Sequence, residues 1–455
     1  MTQETFGYDM ELPYLLRGKD TLTLRVTDKA LRGSWRHFIR LDLYPLIAPS
    51  HLRRHYGWWD IPLKHVVGEN TDLEFDFDSG LLRFARPNGR ITELKPEWTS
   101  GFNECGYIAF HVSLRKTRAP LVHFRAATIS TRTYFTARIT PDGDLPLKQL
   151  TLPVTDRCNL NCTMCPRHSA PELIEEDMPD DVFRAVLDVT PKIATVCTQC
   201  LGEPLLNKDI YRIIRTVKDR MPSQGEVGCS TNGTLLNEKN AINLLDSGID
   251  FLIFSIDGAS KETVEAIRVG AKFETLIQSV KNCVNYRKKK GSSSPRILAN
   301  FVMMEENIRE MPQFVVLCAE LEMDAVFFSY GCEGQTGKFR TYSRELMEPL
   351  FEEANKTAVS RGLGIVLPPL TRQIPERCYN MQHARILVSG EVRPCCGMLP
   401  GFDVHRKILS FGNVKERPVI DIWNDPKYVD FRRRVVKGDF PEECTGCDYK
   451  TGLVF

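Results

Sequence analysis

Leu152–Arg167 reads LPVTDRCNLNCTMCPR, and the rest of the chain is organised around it. A short apolar run, a strand by its pattern, feeds a loop carrying Cys158, Cys162 and Cys165 in a C-x3-C-x2-C array. That spacing lets each thiol turn inward on one face of a metal centre. Three thiolates satisfy three irons of a cubane cluster and leave the fourth iron open for a substrate or cofactor. A structural zinc site needs a fourth close ligand, and His168 is the one candidate nearby.

Outward from this loop, the pattern from 148 to 340 alternates strands with helical periodicity. The strands are QLTLPV, KIATVC, GEVGCS, FLIFSI, RILANFVM and AVFFSY. Between them lie helix-like stretches at 180–189, 209–220, 237–247, 261–267, 273–289 and 311–321. Six βα units in succession predict a parallel sheet that curls into a partial (β/α)6 TIM-like barrel, with its chemistry at the strands' C-terminal ends. The fold class is therefore α/β.

Residues 1–147 form a different unit. Alternating segments TLTLRV, TDLEFDF, YIAFHV and TYFTARI, with turns at Asp78-Ser79-Gly80 and Pro87-Asn88-Gly89, predict a β-rich domain. His51, His55 and His65 with Trp58 and Trp59 could line a binding face, and packing or surface roles are the plainer reading. A charged helical stretch from Thr341 to Arg361 then leads into a small C-terminal domain, 341–455, which carries Cys378, Cys395, Cys396, Cys444 and Cys447.

Composition narrows the function. The 455 residues carry 60 basic and 58 acidic side chains, a balance that gives no broad electrostatic footprint for nucleic acid. No apolar run reaches the length of a membrane span, and the N-terminus lacks the basic and apolar regions of a signal peptide. Fifteen cysteines without an export signal point to metal chemistry in a reducing, cytoplasmic setting rather than to disulfides.

Candidate site residues fall on successive strand ends. Gly202 and Glu203 lie in LGEPLLNKDI after the second strand; glycine permits close backbone approach, and a glutamate there can accept from an ammonium. The third strand ends in Ser230-Thr231-Asn232-Gly233 and the fourth in Ser255-Ile256-Asp257-Gly258, with Arg268 on the helix after it. Taken singly, each reads equally well as a turn or a cap.

Together with the cysteine loop, these motifs resemble those of the radical SAM enzymes. The resemblance implies that Cys158, Cys162 and Cys165 hold a [4Fe–4S] cluster whose open iron chelates S-adenosylmethionine. It implies cofactor-binding roles for Gly202, Glu203, Ser230, Asn232, Ser255, Asp257 and Arg268. The family has an aromatic residue where this chain has Met164, and GGEP where this chain has Leu201-Gly202-Glu203-Pro204. Reductive cleavage of the sulfonium would give a 5′-deoxyadenosyl radical that removes a hydrogen atom from substrate, in an oxidoreductase- or lyase-type reaction fed by a flavodoxin- or ferredoxin-type electron donor.

The C-terminal cysteines, within RILVSGEVRPCC and ECTGC, resemble a SPASM/Twitch region holding one auxiliary [4Fe–4S] cluster. Cys378, Cys444 and Cys447 would be joined there by Cys395 or by Cys396, since strand alternation sends these neighbours to opposite faces. Four thiolates also suit zinc. Cys200, Cys229 and Cys332 sit near the barrel mouth; Cys332, between Gly331 and Gly334, is the candidate catalytic hydrogen-atom donor, and a packed thiol is the plainer reading of each. The expected substrate is small and sugar-like or an aminocyclitol, undergoing dehydrogenation, epimerisation or elimination. Two alternatives stand beside it: a peptide- or protein-modifying maturase, and a non-catalytic iron–sulfur or zinc module.

Overall fold

The protein is described by a computed structural model, covering residues 147–170, 173, 175–223, 225–331, 340–368, 370, 378, 381–395, 409–445 and 447–448, with nine strands earlier in the chain. It divides into two compact units. One comprises Met1–Ala48 with Leu52–Pro146, the other Pro49–His51 with Leu147–Phe455.

The first unit is built, among the described residues, of antiparallel strands. These are β1 (Tyr8–Leu12), β2 (Lys19–Val26), β3 (Phe38–Pro45), β4 (Gly57–Pro62), β5 (Thr71–Asp76), β6 (Leu81–Ala85), β7 (Ile91–Leu94), β8 (Ile108–Arg115) and β9 (Phe135–Thr140). They make a four-stranded sheet ordered β1-β8-β3-β4 and a five-stranded sheet ordered β7-β6-β5-β2-β9. The β-rich expectation is met, and all four alternating segments contain strands. His51, His55 and His65 lie outside the described residues.

The second unit carries the parallel sheet. Its strands are β10 (Gln149–Thr151), β11 (Thr195–Cys197), β12 (Glu226–Thr231), β13 (Phe251–Ser255), β14 (Arg296–Met303), β15 (Ala325–Tyr330) and β16 (Gly364–Val366), each paired parallel to the next. Such strands are covered on both faces, so they read as continuous apolar runs. In β14, Ile297, Leu298, Ala299, Phe301 and Met303 are all buried.

The crossovers are α1 (Asp180–Val186), α2 (Ile210–Arg220), α3 (Glu238–Leu245), α4 (Lys261–Ile267), α5 (Phe273–Lys289), α6 (Met311–Glu320) and α7 (Arg344–Arg361). Side-chain caps start several of them: Asn237 accepts from Asn240 N, Ser260 from Thr263 N and Ser343 from Leu346 N. Helix α5 buries Leu276, Val280, Cys283, Val284 and Arg287, the spacing of one helical face. Phe301, Phe314 and Phe328 lock α6 against β14 and β15, with ring centroids 4.9 to 6.1 Å apart. No helix among the described residues is long and apolar enough to cross a membrane.

One pairing departs from the expected division of the chain. Strand β17 (His383–Ile386) lies parallel to β10, opposing Gln149–Thr151, and β18 (Val392–Arg393) returns antiparallel to it. The segment assigned to a separate C-terminal domain thus extends the barrel sheet to nine strands. Beyond it, α8 (Val419–Trp423) and α9 (Pro426–Lys437) pack through Trp423 on Tyr428, and Phe431 of α9 lies against Phe411.

Candidate active site

The loop after β10 is fixed by its backbone and by Arg157. That side chain forks onto Asp177 at 2.7 to 3.1 Å and also donates to the Leu206 carbonyl at 2.8 Å. Asn161 N and Thr163 N donate to the carbonyls of Val269 and Ile267, both at 2.9 Å, which ties the loop to the end of α4. Cys158, Cys162 and Cys165 then line a pocket of about 370 Å³ at the C-terminal ends of the parallel strands. Met164, standing where the family has an aromatic side chain, lines it too.

Burial pushes the Cys162 thiol up to about 11, against the pull of the Arg268 guanidinium. Cys165 is raised for the same reason. Thiols so placed stay protonated until an electropositive centre displaces the protons, which is how metal loading proceeds. Among the described residues no three His, Cys, Asp or Glu side chains converge as around a single ion. His168 is exposed, with Nε2 3.1 Å from the Cys162 carbonyl oxygen. The donor set, three soft thiols on the wall of one pocket with a cation beside them, fits a cluster that has an open iron.

Gly202 does its work against the chain itself. A Cβ there would stand 2.2 Å from Thr155 O and 2.8 Å from Arg157 O, so only glycine lets the segment after β11 press on the cysteine loop. The next residue completes the contact, Glu203 N donating to Arg157 O at 2.8 Å. Its side chain is 2% exposed. Oε1 accepts from Thr231 Oγ1 at 2.8 Å and Leu205 N at 3.2 Å, and Oε2 from Asn232 N at 2.7 Å. Desolvation pushes the carboxyl up, and these bonds oppose it. The carboxylate lines the pocket with no salt bridge of its own among the described residues, and Oε2 retains capacity for a cationic donor.

Arg268 and Asp257 divide the labour expected of both. Arg268 lines the pocket, its Nη1 3.8 Å from Cys162 Sγ. Asp257 is fully buried behind it and outside the pocket lining, pairing with Arg268 Nη2 at 2.5 Å and accepting from Val302 N at 2.7 Å. It holds a backbone φ of 62°, a left-handed conformation rare outside glycine. Asn307 Nδ2 donates to its carbonyl at 3.0 Å and keeps it there.

Ser230, Asn232 and Ser255 line the same pocket from the ends of β12 and β13. Gln199, Asn300, Ser329 and Tyr330 join them, four residues outside the sequence motifs. Their signal was available: each lies at or near the C-terminal end of a parallel strand. Cys200 lines the pocket as well, whereas Cys229 is wholly buried. Cys332 lies outside the described residues.

Of the C-terminal cysteines, Cys378, Cys395, Cys444 and Cys447 are described and Cys396 is not. Cys395 leaves β18, and Cys447 N donates to Cys444 O at 3.1 Å in a tight turn. Cys395, Arg385 and Arg432 all act electrostatically on the buried hydroxyl of Tyr428, so these groups lie near one another. Arg432 is stacked on Trp423 at 3.8 Å and Tyr428 at 4.4 Å.

Known proteins show the same two parts. Residues 152–318 match the model of the radical SAM superfamily, and 378–448 match the SPASM iron–sulfur cluster-binding domain. A tungsten-containing aldehyde ferredoxin oxidoreductase cofactor-modifying protein from Pyrococcus furiosus is 30% identical over 330 residues, 68% of this chain and 89% of that protein. An AdoMet-dependent heme synthase from Oleidesulfovibrio alaskensis is 24% identical, covering 69% of this chain and 83% of its own. The solved structure of Streptococcus suis SuiB bound to precursor peptide SuiA is 18% identical, covers 68% of this chain and 71% of that one, and shares the fold with a TM-score of 0.50. The chain therefore belongs to the radical SAM superfamily, whose enzymes use a [4Fe–4S] cluster and S-adenosylmethionine, and its SPASM region implies an auxiliary iron–sulfur cluster.

Proposed function

We propose that this enzyme cleaves S-adenosylmethionine reductively and takes a hydrogen atom from a small hydroxylated substrate, sugar-like, aminocyclitol or part of an organic cofactor. The observation that carries this reading is that Cys158, Cys162, Cys165, Glu203 and Arg268 line one pocket. A buried carboxylate and a buried guanidinium, fixed on opposite supports, match the amino and carboxylate groups of an amino acid.

When bound, the cluster and S-adenosylmethionine would supply the one-electron chemistry for hydrogen-atom abstraction. The chain's own residues bind and orient. Cys158, Cys162 and Cys165 would hold the cluster, Glu203 would take the cofactor's ammonium, and Arg268, aimed by Asp257, would take its carboxylate. Ser230 and Ser255 offer hydroxyls at the strand ends for a ribose. Fixing these groups in advance lowers the entropic part of the barrier and excludes water. Cys378, Cys395, Cys444 and Cys447 are the proposed ligands of the auxiliary cluster. A ferredoxin- or flavodoxin-type protein is the proposed electron donor, in a reducing cytoplasmic setting.

A small substrate is favoured because the Pyrococcus furiosus relative is named for modifying an oxidoreductase's cofactor. The lining beyond the cofactor-binding groups also includes neutral side chains, Gln199, Asn300, Ser329 and Tyr330. Anaerobic reconstitution with iron and sulfide, followed by reduction in the presence of S-adenosylmethionine, should release 5′-deoxyadenosine, and Cys162→Ala should abolish it. No release with any of several reductants would favour a non-catalytic metal module. Deuterium transfer into 5′-deoxyadenosine across labelled sugars, cyclitols, organic cofactors and peptides identifies the substrate; transfer from peptides alone would overturn the small-substrate reading.

A further inference from the structure

Asn159 stands between the first two cysteines and is exposed, so burial does not require an amide there. Its side chain is nevertheless engaged at both ends. Oδ1 accepts from Asn232 Nδ2 at 2.9 Å, and Nδ2 donates to Thr234 Oγ1 at 2.8 Å. Thr234 Oγ1 in turn donates to Asn232 Oδ1 at 2.7 Å, which also accepts from Thr234 N at 3.0 Å. The three side chains close a ring in which each donates once to the next. Such a ring admits one orientation of both amides, and its members polarise one another.

Asn232 reaches in a second direction. Its backbone N–H donates to Glu203 Oε2 at 2.7 Å, while Thr231 Oγ1 donates to Glu203 Oε1 and accepts from Gly233 N at 3.0 Å. One turn at the end of β12 therefore holds the cysteine loop through a side chain and the pocket carboxylate through its backbone. The far side of the loop is anchored through Asn161 N and Thr163 N on the end of α4, and those amides report whether the loop stays seated once the clasp is cut.

We propose that Asn159, Asn232 and Thr234 form a clasp that makes the cysteine loop and Glu203 one rigid piece before any cluster or cofactor arrives. Asn232 is then a positioning residue, because its amide is occupied by the clasp. The geometry stands by itself; its consequence for S-adenosylmethionine rests on the proposed function. A loop already ordered gives up less freedom on loading.

The test uses the full-length, cluster-free protein and hydrogen–deuterium exchange at the loop amides of Asn161, Thr163 and Cys165. Asn159→Leu and Thr234→Val should exchange there roughly tenfold faster than wild type, the loss of about one net hydrogen bond. Asn159→Asp should fall between, since it keeps the acceptor for Asn232 and loses the donor to Thr234. Amides of β13 and β14 should not change. After loading, the variants should need several-fold more S-adenosylmethionine to perturb the electron paramagnetic resonance signal of the reduced cluster. Unchanged loop exchange in both Asn159→Leu and Thr234→Val overturns the clasp, as does loss of protection throughout the barrel in all three variants. Faster loop exchange in a protein that never yields 5′-deoxyadenosine would support the clasp and sink the radical reading alone.

Discussion

Asp257 pairs with Arg268 at 2.5 Å from a position with no exposure to solvent, while the same guanidinium reaches to within 3.8 Å of Cys162. A side chain in the wall of the pocket is thus held by one that never enters it. Removing one partner of a buried pair costs about 3–5 kcal/mol, because the other charge stays buried. Asp257→Ala should lower stability by that order in thermal denaturation. Asp257→Asn, which keeps the shape, should lose less stability and still weaken S-adenosylmethionine binding about tenfold.

Gly202→Ala should be far worse than its one added methyl implies. The new carbon would meet two backbone oxygens, of Thr155 and Arg157, which cannot swing aside as a side chain tip can. Overpacking of this kind costs roughly 1–3 kcal/mol or more. Iron content after reconstitution should drop together with the melting temperature; a variant that melts lower yet loads fully would show that the contact serves folding only.

Glu203→Gln should weaken S-adenosylmethionine binding about ten- to a hundredfold, the worth of a charge-assisted hydrogen bond to a buried acceptor. Burial raises the wild-type carboxyl above its ordinary value of 4.5, so the folded protein holds this proton more tightly than the unfolded chain does. The associated stability is present below 4.5 and is lost as pH rises through the raised value. Only the ionised form attracts the cofactor's ammonium. Binding should therefore weaken as pH falls through that raised value, and the melting-temperature gain from the cofactor should grow with pH. A gain independent of pH in wild type, measured anaerobically, would argue against Glu203 as the ammonium acceptor.

Cys395→Ala should remove the auxiliary cluster, about four irons per chain if that cluster is of the four-iron type, and Cys396→Ala should leave it. The basis is strand alternation, which sends these neighbours to opposite faces so that one of the two ligates. Iron and sulfide determination with Mössbauer spectroscopy distinguishes the two; the reverse pattern would transfer the ligand role to Cys396.

Much of this was legible in order along the chain. The barrel strands announced themselves as apolar runs because both faces are covered, and α4 and α5 fall at 261–267 and 273–289, where periodicity put them. What was hidden depends on partners distant in sequence. Thr151 opposes Arg385 across a gap of more than two hundred residues, so no local pattern announces that β17 joins the barrel sheet. Gly202 looked like a residue making room for a ligand, and the room it makes is for the carbonyls of Thr155 and Arg157. Asp257 looked like a mouth residue because it ends a strand; its left-handed backbone turns it under Arg268 instead. Asn159 gave no signal, since an exposed amide between two cysteines has meaning only once Asn232 and Thr234 are brought beside it.

The hydrogen bonding of β17 to β10 has a practical consequence. A truncated protein ending near residue 340 would leave the open rim of β10, with unpaired amides and carbonyls directly before Cys158, ready to stick to another chain. Such fragments should precipitate or self-associate even though every barrel strand up to β15 is intact. The two metal-binding regions are best regarded as one cooperative body that is made, purified and lost together.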